Sequence, residues 1–124
     1  MTITVTNAQA LAKLREIVSE RPDHVYCAPE HMWSEESQLC FYAHTDKDGS
    51  AVSAGCGIGE LLHRLGVPLE QLREVEGYTA MHVVNRFTHG LSRETVNRLR
   101  IFQAEQDQGR TWGESYVRAT GEAI

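Results

Sequence analysis

Lysine is nearly missing from this chain: of 12 basic residues only Lys13 and Lys47 are lysines, and the net charge is −5. That balance argues against nonspecific nucleic-acid binding, which relies on neutralising phosphates with many Lys and Arg side chains. Cysteine is also sparse. Three among 124 residues is an odd count, too low for a disulfide framework, and predicts reduced thiols in the cytoplasm. No apolar run approaches the roughly 20 residues needed to cross a bilayer, so no membrane partner is expected. The opening Met-Thr-Ile-Thr-Val lacks a basic region and an apolar core, which predicts no signal peptide.

What is there has ordinary globular proportions, 41% hydrophobic and 23% charged residues, in a length that fits one domain, 1–124. The charge is uneven: residues 1–76 hold 12 acids against 6 bases, and residues 77–124 hold 5 acids against 6 bases. The scattered arginines suit bidentate pairing with anionic groups.

Hydrophobic period and turn chemistry divide the chain. Thr-Ile-Thr-Val at 2–5 alternates and predicts a first strand. Thr6 and Gln9 form a capping box, so a helix begins near Asn7, buries Leu11, Leu14, Ile17 and Val18, and stops before Pro22. Strands are predicted at 24–27, 39–44 and 51–54, the last two joined as a hairpin through Asp46–Gly49, with a loop over 30–37. Ile58, Leu61, Leu62 and Leu65 mark one face of a two-turn helix ending at Gly66. Pro68 opens the next helix, with Leu69, Leu72 and Val75 on its apolar side. Beyond it the pattern is helical and strand-free. Thr79 and Ser92 cap two helices, and Thr111 with Glu114 forms a second capping box. The expected fold class is α+β: a small antiparallel sheet from the first half, packed by helices, with an all-helical second half.

The sharpest local feature is Gly55-Cys56-Gly57-Ile58-Gly59, running from a strand into a helix. Backbone N–H groups at Gly57, Ile58 and Gly59 could face an anion there. The spacing is not that of a dinucleotide fingerprint, no parallel strand follows, and the Lys-Ser/Thr of a P-loop is missing. A tight connection that simply needs small residues is the competing reading. Cys27, Cys40, His44 and Cys56 lack the close cysteine pair of a zinc site, and no cofactor is expected. Trp33 and Tyr42, with His31 and His44, offer ring surfaces for stacking, and Arg64 or Arg86 a partner for an anion. Gln103, Gln106 and Asp107 continue the line of Val96, Leu99 and Phe102. Such a polar continuation ends at the surface or pairs across a subunit interface. Trp112 reads as a lid on the core or an interface anchor.

Three stretches carry a resemblance: Val25-Tyr26 ahead of Cys40-x-Tyr42, the segment from Cys56-x-Ile58-Gly59 to Leu65-Gly66-Val67, and Ala104-x-Gln106-Asp107 to Trp112-Gly113-Glu114. With these the chain resembles small uncharacterised proteins of actinobacteria and their phages, departing from them in an acid-rich insertion around 29–37. The resemblance implies a phage setting, in which small non-enzymatic proteins sequester nucleotide signals of host immunity. The expectation is a homo-oligomer holding a small anionic nucleotide-like ligand, such as a cyclic nucleotide or an ADP-ribose derivative. Gly57, Ile58 and Gly59 would supply N–H donors, Tyr42 or Trp33 a stacking surface and Arg64 a charge partner. The alternatives are an interaction module acting through its helical half and a small Cys/His hydrolase.

Overall fold

Helix formation begins where side chains can satisfy the first backbone N–H groups. In the computed structural model, which describes residues 2–33 and 40–124, Thr6 and Gln9 cap each other reciprocally and open α1, Asn7–Glu20. Leu14, Ile17 and Val18 face inward from it. The hairpin strands are β2, Ala43–Thr45, and β3, Ala51–Ala54, antiparallel with an irregularity after His44. Five further helices follow: α2, Gly57–Arg64; α3, Leu69–Glu74; α4, Ala80–Phe87; α5, Arg93–Asp107; and α6, Trp112–Thr120. Gly66 has φ of 118°, the left-handed geometry that lets the chain turn out of α2. The result is an α+β fold in which the second half is dominated by helices.

Two strand expectations are corrected. The second half holds a short strand after all: Thr88–His89 (β4) pairs in parallel with Ile3–Thr4 (β1), so the chain's beginning is tied beside the end of α4. Residues 24–27 form no ladder; Val25 makes one isolated bridge to Thr111. The carbonyls of Pro22 and His24 instead accept the N–H groups of Gly113 and Trp112, at 2.8 and 2.9 Å. These are first-turn donors of α6, which no intrahelical acceptor can reach. The segment thus serves as a seat for a helix terminus. Glu30–Met32 is a single 3-10 turn, while residues 34–37 of the expected loop and Leu39 of the expected third strand lie outside the described residues.

One apolar cluster draws on all six helices and on Tyr42, Ala43 and Cys56. Trp112, Phe102, Leu61 and Leu72 are among its fully buried members. Among the described residues no helix is long and apolar enough to cross a membrane.

Candidate functional site

The glycine connection enters this core rather than a binding surface. Gly57, Ile58 and Gly59 are all buried. A Cβ on Gly55 would stand 2.0 Å from the Phe41 carbonyl oxygen, one on Gly57 2.3 Å from the Phe102 ring, and one on Gly59 2.0 Å from the Tyr42 carbonyl oxygen. The glycines are therefore required by close approach of strand, helix and ring. The Gly57 N–H is already taken by Gln106 Oε1 at 2.8 Å. The reading of Gly57, Ile58 and Gly59 as an anion cradle is corrected: buried backbone with its leading donor engaged offers nothing to a phosphate.

Arg64 is committed elsewhere too. Its guanidinium grips Glu20 with bonds of 2.6 and 2.7 Å and Glu60 at 2.8 Å, clamping α2 to α1. These carboxylates push the Arg64 pKa up, and Arg64 in turn lowers that of Glu20. As a charge partner for a ligand Arg64 is corrected as well. Tyr42 is buried and donates its hydroxyl to the Tyr78 carbonyl at 2.6 Å. Its ring gives no open stacking face. Trp33 remains 45% exposed, its Nε1–H held by the Ala28 carbonyl at 2.7 Å. Of the expected site residues, Tyr42 and His44 meet the glycine connection, and they do so as packing.

The polar end of the α5 stripe is where chemistry collects. Gln103 and Gln106 are 6% and 2% exposed, so they neither end at the surface nor reach a subunit partner. Gln106 is anchored within the chain. Its Oε1 accepts from Gly57 N–H and from Trp112 Nε1–H at 3.1 Å, and its Nε2 donates to Asp107 at 3.0 Å. Trp112 is accordingly a fully buried core residue. Gln103 directs Nε2 at the sulfurs of Cys40 and Cys56, the latter at 3.4 Å. Burial raises the Cys40 thiol well above its usual range, so it stays protonated near neutrality and is a poor nucleophile.

Two clefts meet at Asp107. One, of about 250 Å³, is walled by Tyr26, Ala28, Trp33 and Gln106. The other, of about 170 Å³, lies between Cys40 and Tyr42 on one side, Glu76 and Tyr78 on the α3–α4 connection, and Gln103 on α5. The second holds what the first lacks. Glu76 Oε1 accepts the Ala43 N–H at 3.0 Å, whereas Glu76 Oε2 and Gln103 Oε1 are buried with no hydrogen-bond partner among the described residues. Burial, only partly offset by backbone donors at Ala43 and Tyr42, lifts the Glu76 carboxyl to about 7. Desolvation also raises Asp107, although that residue keeps an exposed edge. Tyr78, 54% exposed, stacks on His82 with ring centroids 4.6 Å apart.

Among the described residues no three His, Cys, Asp or Glu side chains gather to hold a metal ion. His44 Nε2 faces the Tyr26 hydroxyl at 2.8 Å instead of a thiol, and burial lowers its pKa, with His31 adding to the effect. Glu76 and Tyr78 carry no sequence signal as site residues. The run Gln103, Gln106, Asp107 did stand out as a polar break in an apolar stripe. No protein-family model, curated protein or solved structure matches the chain.

Proposed function

We propose that this chain is a small non-enzymatic binding protein whose ligand occupies the cleft between Glu76, Tyr78 and Gln103. The supporting observation is that one cleft is lined by Glu76 and Gln103, each carrying a buried oxygen, Oε2 and Oε1, without a partner among the described residues. A buried acceptor without a donor costs about 1–3 kcal/mol, and a ligand that supplies the donor recovers it. Tyr78 adds an exposed aromatic face for a planar ring. A nucleotide-like ligand fits through its base, with phosphates kept away from Glu76 and Asp107. The resemblance to actinobacteriophage proteins supplies the setting, capture of a nucleotide signal in the host cytoplasm, and a homo-oligomer as the assembly.

The test is incubation of the purified chain with nucleosides, cyclic nucleotides and ADP-ribose derivatives, followed by thermal denaturation and recovery of the small molecule. A raised melting temperature with the ligand recovered intact is the expected result. Chemically altered product makes the protein an enzyme, and no shift with any compound removes the reading. Light scattering during size-exclusion chromatography checks the assembly.

A further inference from the structure

The second cleft is unusual in what its walls offer. Of its hydrogen-bonding side chains, Glu76, Gln103 and Asp107 bring acceptors, and no lysine or arginine lines it. Its hydroxyl donor at Tyr42 is spent on the Tyr78 carbonyl. The Thr79 hydroxyl, at the N-terminus of α4, accepts the His82 N–H at 3.3 Å. Gln103 is nine-tenths buried or more, and its amide is oriented with Nε2 toward the sulfurs and Oε1 without a partner among the described residues. The Cys40 thiol is itself a donor, so the amide can equally turn Oε1 to the sulfurs and Nε2 to the cleft, and Glu76 Oε2 is the acceptor that stands in either orientation. A phosphate would meet two carboxyl groups here and no cation. A group carrying several N–H donors in one plane would meet the two carboxyls, beside the Tyr78 and Thr79 hydroxyls, which can accept as well as donate.

We infer that this cleft reads a planar N–H donor edge of the amidine, guanidinium or guanine type and turns phosphate away. The inference rests on the proposed small-ligand function and names which part of the ligand enters. Carboxylates pair with such edges through two parallel N–H···O bonds. Among the common bases, guanine places two neighbouring donors, N1–H and the 2-amino group, on one edge. The carboxyls of Glu76 and Asp107, with Gln103 beside them, are the acceptors on the cleft wall for it, and Tyr78 flanks the ring. Adenine, with a ring acceptor beside its amino group, would set a lone pair against a carboxylate. The pairing also answers the Glu76 burial: a donor edge stabilises the ionised carboxylate that desolvation disfavours.

The experiment titrates the full chain with benzamidine, guanosine, 1-methylguanosine, adenosine and inorganic phosphate, by calorimetry and by backbone amide NMR. Guanosine or benzamidine is expected to shift signals of residues 76–80. Blocking the edge in 1-methylguanosine should weaken binding by about tenfold or more, the worth of one charge-assisted hydrogen bond. Glu76→Gln should cost a similar factor while circular dichroism and melting remain those of a folded protein; Gln103→Leu is the second variant should the first fail to fold. Equal binding of 1-methylguanosine and guanosine, or phosphate as the sole compound bound, overturns the inference. So does a crystal soaked in benzamidine whose cleft holds water alone. A nucleotide that binds with its shifts mapped elsewhere sinks the inference and leaves the proposed function intact. Benzamidine bound at residues 76–80 with no nucleotide bound does the reverse, keeping the donor-edge site and removing the nucleotide reading.

Discussion

Two glutamines one helical turn apart separate the two working regions of this molecule. Gln106 and Gln103 share the buried face of α5, and both extend a stripe that is otherwise apolar. Around Gln106 the polar atoms close on one another: Gly57 N–H, Trp112 Nε1–H and the Asp107 carboxyl meet the amide. Around Gln103 they do not, since its Oε1 and the nearby Glu76 Oε2 have no partner among the described residues. A satisfied buried network rigidifies and fixes one arrangement, whereas a half-satisfied one is costly and points to a missing group. The first region holds the fold together, and the second leaves two buried oxygens without a partner among the described residues.

The closed corner should break most severely. Gly59→Ala drives a Cβ against the Tyr42 carbonyl oxygen, a contact of 2.0 Å with backbone that has no rotamer to change. A loss of about 3 kcal/mol or more is expected, at the upper end of overpacking effects. Urea unfolding measures it, and a loss below about 1 kcal/mol would show that the strand moves freely against α2. Gln106→Leu comes next. It keeps volume but strands the Gly57 and Trp112 N–H groups in the core, for an expected loss of about 2–4 kcal/mol. A neutral outcome in the same measurement would mean that both donors find other acceptors.

The sequence makes one region far more readable than the other. Both capping boxes, the hairpin strand at Ala51–Ala54 and the α2 stripe follow from residues within a turn or two of each other. Local chemistry suffices there because the partners are local. The Gly55–Gly59 connection was recognisable as a junction, but its causes are distant: the Phe41 and Tyr42 carbonyls behind Gly55 and Gly59, and Phe102 and Gln106, 45 and 49 residues beyond Gly57. Without those partners, alternate glycines before a helix look like free donors. Residues 24–27 mislead for the same reason: their strand-like pattern seats the start of α6, a partner that periodicity cannot name. Glu76 is the extreme, an acid at a helix end whose meaning depends on the Ala43 N–H 33 residues earlier. The polar run on α5 and Tyr42 were the legible traces of the cleft.

The open region should announce itself in the pH dependence of stability. Burial raises Glu76 in the fold from an ordinary 4.5 to about 7. A carboxyl raised in this way contributes stability that is fully present below 4.5 and is lost as pH climbs through about 7. Asp107, also raised by desolvation, acts in the same direction. Cys40, Tyr26 and Tyr42, which sit near Glu76, are themselves pushed upward by burial and stay neutral across this window. The Glu76 contribution to the unfolding free energy should therefore fall by about 1–2 kcal/mol between about pH 5 and pH 8, after allowance for the solvent that reaches Glu76, while His24 and His44, lowered by burial, act in the opposite direction. Glu76→Gln should flatten most of that slope. A slope of unchanged size in the variant would assign it to Asp107 or to another group.

The smallest expected effect is the most direct test of the comparison. Gln103→Leu removes an oxygen without a partner among the described residues and replaces two weak N–H···S contacts with apolar packing against Cys40, Cys56 and Phe102's neighbourhood on α5. Deleting a buried polar group that lacks its partner relieves desolvation, so stability should change by no more than about 1 kcal/mol, and toward greater stability. The same chemical change one turn along, at Gln106, is expected to cost several times as much. Measured side by side in urea, the two leucine variants separate a polar group that serves the fold from one that does not. Equal and large losses would mean that Gln103 is as fully engaged as Gln106, and the cleft would then be a second closed corner.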